Sequence, residues 1–232
     1  MDMNFTIPVN EAFEASAADP KCGCPLCALY RKLEEDELDL ILGASMMEPD
    51  IRIKTNEQGF CADHYAMMLR RKRMLGIALM LDSHLPEVEK RLDGPILIGN
   101  KPAAAVKALG DLEESCYVWG RIDKNLSMMI ATIAYLFESD VEFRAKYEQI
   151  PYLCLPHYRR LVDYASKKMN KRNFAEFYQV AHGLEKKYIT ELRGDVNWFC
   201  KKFDYRYDEE PWYNSKDAVE RAVKFLRSDL HN

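Results

Sequence analysis

The sequence predicts an all-α protein: two related helical hairpins whose metal-binding ends are helix N-termini, plus a C-terminal helical extension. Three observations carry this. A Cys/His signature occurs twice. Cys24-Pro25-Leu26-Cys27 is followed by Cys61-Ala62-Asp63-His64, and Cys116-Tyr117-Val118-Trp119 by Cys154-Leu155-Pro156-His157. Corresponding residues lie 92 or 93 positions apart, and Arg52 and Lys54 recur as Arg144 and Lys146 at that interval. Apolar residues between the motifs fall at helical spacing, and no stretch alternates as a half-buried strand would.

Taken in order, residues 1–21 read as an irregular lead-in and 22–92 as the first repeat. Pro25 suits the first turn of a helix, where its missing N–H is no loss. Leu26, Leu29, Tyr30, Leu33, Leu40, Ile41 and Ala44 then mark one face. The acidic run Glu34, Glu35, Asp36 and Glu37 reads as a solvated face. Glu48-Pro49-Asp50 opens a connecting segment that reaches Gly59. A second helix is expected from Cys61 to about Leu92, with Met67, Met68 and Leu69 as core filler and Pro86 kinking or ending it.

Residues 93–111 read as a linker, on Gly94-Pro95 and Gly99-Asn100-Lys101-Pro102. The degenerate second repeat, 112–200, repeats the plan. It has a helix from about Leu112 to Glu138, a short segment from Asp140 to Tyr147, and a helix from Cys154 to about Met169. A longer helix follows, from about Asn173 to Asp204. Residues 201–232 form an aromatic segment and a last helix, about Ser215 to Leu230, capped by Ser215 or Asn214. The two repeats are expected to share one compact domain.

A net charge of −4 argues against a general nucleic-acid binder, which is usually basic. The longest apolar run, Met128 to Phe137, is far short of the ~20 residues of a membrane span. Residues 1–18 lack the basic-then-apolar pattern of a secretory signal. The expected compartment is the cytoplasm, where seven cysteines serve as thiols and ligands rather than disulfides.

Cys24, Cys27, Cys61 and His64 make a Cys3His set with the short pair spacings of a zinc site. Two helix N-termini converging there would stabilise thiolates, and a structural zinc would contribute on the order of 10 kcal/mol to folding. Three other readings stand beside it: buried free thiols, an iron–sulfur cluster on Cys22, Cys24, Cys27 and Cys61, and a redox pair at Cys24/Cys27. In the second copy Cys116, Cys154 and His157 remain, and Trp119 stands where a ligand should be. Three ligands with an open fourth position is the formula of catalytic zinc. The favoured alternative is a relic, with the indole filling the volume a metal once held. Cys200 is a distant thiol with no spacing that recruits it.

Arg70 to Arg73, and Arg159, Arg160, Lys167, Lys168, Lys171 and Arg172, read first as solvated basic faces, with an anionic partner as the alternative. His84, His182 and His231 read as surface or satisfied histidines. Trp198, Phe199, Phe203, Tyr205, Tyr207, Trp212 and Tyr213 read as packing for the C-terminal segment. No phosphate loop, dinucleotide fingerprint or nucleophile elbow is present.

The doubled pattern resembles an uncharacterised family of bacterial helical proteins. Its members carry Cys-Pro-x-Cys, then Gly-Phe-Cys-x-x-His, then a second Cys-x-x-Cys and Leu-Cys-x-x-His. A C-terminal stretch like Phe203-Asp204-Tyr205-Arg206 completes the pattern. The resemblance covers most of the chain and implies an all-helical, metal-binding fold without an established activity; Trp119 departs from it. The leading expectation is a zinc-binding protein that works by interaction, an adaptor with a protein partner. A thiol- or metal-dependent enzyme, or a redox or iron–sulfur sensor, is the alternative, using Cys24/Cys27 or the open Cys116/Cys154/His157 set.

Overall fold

The computed structural model describes residues 5–93 and 101–230. The glycine and proline signals at 94–100 and His231 lie outside them. The protein is all-helical, with no strand among the described residues. Eleven α-helices are described: α1 Thr6–Ala18, α2 Pro25–Ile41, α3 Pro49–Gln58, α4 Ala62–Arg70, α5 Met74–Asp93, α6 Lys101–Glu113, α7 Tyr117–Ser139, α8 Val141–Tyr147, α9 Leu155–Lys168, α10 Lys171–Lys201 and α11 Ala218–Arg227.

Several elements differ from expectation, each for a local reason. Most of the lead-in, Thr6–Ala18, is helical because Val9, Phe13 and Ser16 recur at i, i+4 and i+7 and are buried. Both connectors expected as non-helical segments are helices. Pro49 opens α3 at its first turn, and the Asp140 side chain caps α8 by accepting the N–H groups of Glu142 and Phe143. The helix expected from Cys61 to Leu92 breaks between α4 and α5, where Lys72 adopts φ 55°. Pro86 lies inside α5 without ending it. From Lys101 onward the expected linker is helix α6, and Ser115 and Cys116 separate it from α7. The last helix starts at Ala218 after Asp217, which gives no side-chain cap.

The chain folds into two compact units, one of residues 1–31 and 126–232, the other of residues 32–125. The division falls inside α2 and inside α7, so neither unit is one sequence copy. In the first unit Phe13, Phe137, Phe143, Tyr147 and Phe177 form a buried ring cluster, with centroids 5.0 Å apart for Phe13–Phe143 and 5.1 Å for Phe137–Phe177. Each such side chain contributes about 1.5–3 kcal/mol through burial, and tilted or edge-on pairs add to that. In the C-terminal segment Trp198 packs on Tyr207 and Tyr213, and Phe199 on Trp212.

Two glycines set the approach to the cysteines. Gly23 (φ 68°) precedes Cys24, and its carbonyl accepts the Ser16 hydroxyl at 2.6 Å. Gly59 (φ 58°) ends α3, and its carbonyl accepts the N–H of Tyr117 at 3.0 Å. A Cβ at Gly59 would lie 3.1 Å from His84 Nε2, while His84 Nδ1–H donates to the Asn56 carbonyl at 2.9 Å. This turn therefore delivers Cys61 to the start of α7, where Cys116 sits.

Candidate metal centres

The first unit brings together Cys24, Cys27, Cys154 and His157, all buried. Cys24 directly precedes α2 and Cys27 lies in its first turn. Cys154 is the N-cap of α9, and His157 is three residues on, the spacing that places both on one face. The Cys27–Cys154 sulfur separation is 3.6 Å. His157 Nδ1 lies 3.6 Å from Cys24 Sγ, 3.5 Å from Cys27 Sγ and 3.1 Å from Cys154 Sγ. A tetrahedral zinc with ordinary bond lengths has S···S edges of about 3.8 Å and S···N edges of about 3.6 Å. The Cys27–Cys154, Cys24–His157 and Cys27–His157 separations lie close to these edges, and Cys154–His157 is about 0.5 Å short.

The electrostatics agree with a cation site. Without a counter-charge, three crowded sulfurs cannot all ionise. Hydrogen bonds from Cys154 and Cys24 hold the Cys27 thiol far below its ordinary range against the cost of burial, and His157 adds to the lowering. Burial raises the Cys24 thiol well above that range, with the neighbouring sulfurs adding to it. A divalent cation would allow every sulfur to carry its charge. The loop before Cys154 is pinned by Glu185, whose Oε1 accepts the Leu153 N–H at 2.7 Å. Burial pushes the Glu185 carboxyl up to about 7, partly offset by that hydrogen bond.

The second unit brings together Cys61, His64 and Cys116. Cys61 is the N-cap of α4, and Cys116 directly precedes α7. His64 Nδ1 faces both sulfurs, at 3.0 Å from Cys61 and 3.1 Å from Cys116. Its Nε2 lies 3.1 Å from Glu34 Oε1, and both of these side chains are buried. Burial works to lower the pKa of His64, but Cys116, Glu34 and Cys61 together raise it to about 10. Burial pushes the Cys116 thiol up, yet His64 and the backbone amides of Trp119 and Cys61 bring it down to about 7.

The expected ligand groupings are therefore corrected. Cys24 and Cys27 do not join Cys61 and His64, and Cys116 does not join Cys154 and His157; each cluster takes one pair from each copy. Grouping within a copy assumed a connector long enough to return. Helix α3 rises about 1.5 Å per residue, under half the reach of extended chain. The four-cysteine iron–sulfur set is not assembled either, since Cys22 is exposed and Cys61 belongs to the other cluster. Cys200 is exposed and in neither cluster. Trp119 is in neither cluster and is 52% exposed.

The acidic run is also corrected. Glu35 and Asp36 are exposed, but Glu34 and Glu37 are buried, and Glu37 Oε2 pairs with Arg121 at 3.4 Å. Glu34 lies four residues beyond Tyr30, on the apolar stripe, and that position was the available signal. The basic runs are partly neutralised, as in Arg71–Asp39 and Lys167–Asp163. His84 is buried and hydrogen-bonded, and His182 stacks on Tyr178.

A family model described as a family of unknown function, DUF6062, matches residues 1–232. The chain belongs to this family. No curated protein and no solved structure gives a significant match. Membership in DUF6062 carries no activity with it. No helix among the described residues is long and apolar enough to cross a membrane.

Proposed function

We propose that this chain is a zinc protein in which Cys24, Cys27, Cys154 and His157 hold a structural ion, and that the stabilised helical body serves as an interaction or adaptor module in the cytoplasm. The supporting observation is the buried donor set at near-tetrahedral separations. A Cys3His set of this kind suits zinc, and a closed four-ligand site suits a structural role rather than a catalytic one. An iron–sulfur cluster usually takes four thiolates, and the histidine in this set favours zinc over it. The largely exposed side chains of Phe203, Tyr205 and Tyr213 offer apolar surface to a protein partner.

Elemental analysis of the anaerobically purified chain tests the reading. Zinc bound to wild type, with one equivalent lost in Cys154→Ser, together with a drop in thermal stability that chelator reproduces in wild type, is expected. A chain that keeps its stability and metal content in that variant overturns it. A thiol- or metal-dependent enzyme is the second reading, favoured by the solvent access of Cys61 and Cys116 in the other cluster.

A further inference from the structure

We propose that Cys61, His64 and Cys116 form a second metal site whose fourth coordination position is open and takes an exchangeable donor, either water or a small soft ligand such as an alkyl thiol. The proposal shares with the preceding section the reading of these cysteines and histidines as metal donors, but it concerns a separate cluster with its own occupancy.

The first support is correspondence with the closed cluster. Cys61 caps α4 as Cys154 caps α9, and Cys116 precedes α7 as Cys24 precedes α2. In both clusters the histidine follows its cysteine by three residues and turns Nδ1 toward the sulfurs. Trp119 stands at the sequence position that corresponds to Cys27. Where Cys27 is a buried sulfur donor, Trp119 is half exposed and its indole N–H has no lone pair to offer, so this cluster has one ligand fewer than the closed one.

Glu34 is the second, independent support. Its carboxylate oxygen accepts from His64 Nε2–H, so Nδ1 is the ring nitrogen turned to the two sulfurs and the one that would bind a cation on giving up its proton. A carboxylate that fixes the ring tautomer in this way is the usual outer partner of a metal-bound histidine. Both carboxylate and ring are buried, so the orientation is held by packing as well as by the hydrogen bond. One ring nitrogen and two sulfurs converge on one point, and three protein ligands with solvent access leave room for an exogenous fourth. The donors stand about 0.5 Å closer than tetrahedral S···N edges require. Cys61 and Cys116 are only part-buried, so small side-chain rotations toward solvent can supply that spacing.

The test is cobalt titration of the full chain after metal removal, with unbound cobalt removed before spectra are taken. Wild type is expected to hold two cobalt ions per chain, with the visible bands of one shifted by 2-mercaptoethanol. Cys116→Ser should reduce the stoichiometry to one and abolish the thiol response. Trp119→Cys should keep two ions and also abolish the response, by supplying the missing ligand. Neither variant touches the closed cluster, so each can be read even if Cys154→Ser fails to fold. One ion per chain, unchanged in Cys116→Ser, overturns the second site while leaving the structural zinc standing. Two ions that both ignore the thiol overturn the open position. Failure to bind any cobalt overturns both readings.

Discussion

Pairing across the copies makes a prediction that pairing within a copy cannot make. Consider Cys24→Ser, Cys154→Ser and Cys61→Ser, singly and in pairs. Cys24 and Cys154 are buried donors of one cluster, and Cys61 belongs to the other. A structural zinc is worth roughly 10 kcal/mol or more, so losing one of four ligands costs on the order of 3 kcal/mol. The serine hydroxyl left in a dry site adds about 1–3 kcal/mol if it finds no partner. That total is a large part of the 5–15 kcal/mol typical of a domain, so each single variant should be visibly weakened. Once the ion is lost, removing a second ligand of the same centre costs little. The pair Cys24→Ser/Cys154→Ser should therefore fall short of additivity by on the order of 2 kcal/mol or more, while Cys24→Ser/Cys61→Ser should add within about 0.5 kcal/mol. Urea unfolding with and without chelator reads both quantities, and metal analysis runs beside it. Coupling between Cys24 and Cys61, with none between Cys24 and Cys154, would refute the exchanged pairing. Equal stability of wild type and variants without chelator would refute a structural ion.

Two further outcomes follow from buried oxygens in the first unit. Burial raises the Glu185 carboxyl from 4.5 to about 7, so the native state holds its proton more tightly than the unfolded chain does. That contribution is fully present below about pH 4.5 and is lost as pH rises through about 7. Glu185→Gln should flatten the dependence and be more stable than wild type above about pH 7, by on the order of 3 kcal/mol; urea midpoints of both proteins at matched pH check this, and parallel pH profiles would count against it. Tyr147 buries a hydroxyl with no hydrogen-bond partner among the described residues, inside the ring cluster. Tyr147→Phe should leave stability unchanged or raise it by about 1 kcal/mol, and a clear loss in thermal melting would reveal a partner for that oxygen.

The helical class was legible because the 3.6-residue period runs through nearly every segment. The connectors were misread because proline and glutamate near 49 and charged residues near 142 look like loop, whereas Pro49 and Asp140 act as helix starts. All the cysteines and histidines of the two donor clusters were legible from spacing; their grouping was not. Either pairing uses every motif, leaves one complete Cys3His set and assigns Trp119 to the incomplete one. Nothing local distinguishes them, because the choice depends on how long helices and helical connectors direct the chain. Glu34 was hidden by its neighbours. Within a run of four acids, only its register with Tyr30 and Leu38 separates a buried partner of His64 from a solvated carboxylate.

The exchanged pairing also bears on which copy could lose a cysteine. Cys24 and His157 are 133 residues apart in sequence, whereas His64 and Cys116 are separated by 52. A metal that clips a longer loop removes more freedom from the unfolded chain, here by about 0.8 kcal/mol on a logarithmic loop-length scale. That term is small beside the ligands themselves. The larger effect is architectural: the first unit is assembled from two distant stretches, 1–31 and 126–232, and its closed cluster joins one to the other. The second unit is continuous from 32 to 125 and has its own chain to hold it together. A full ligand set is structurally most useful where the chain is discontinuous, and there it is complete. On the proposed reading, a ligand can be given up where the chain is continuous, which would leave its position for exchange with solvent.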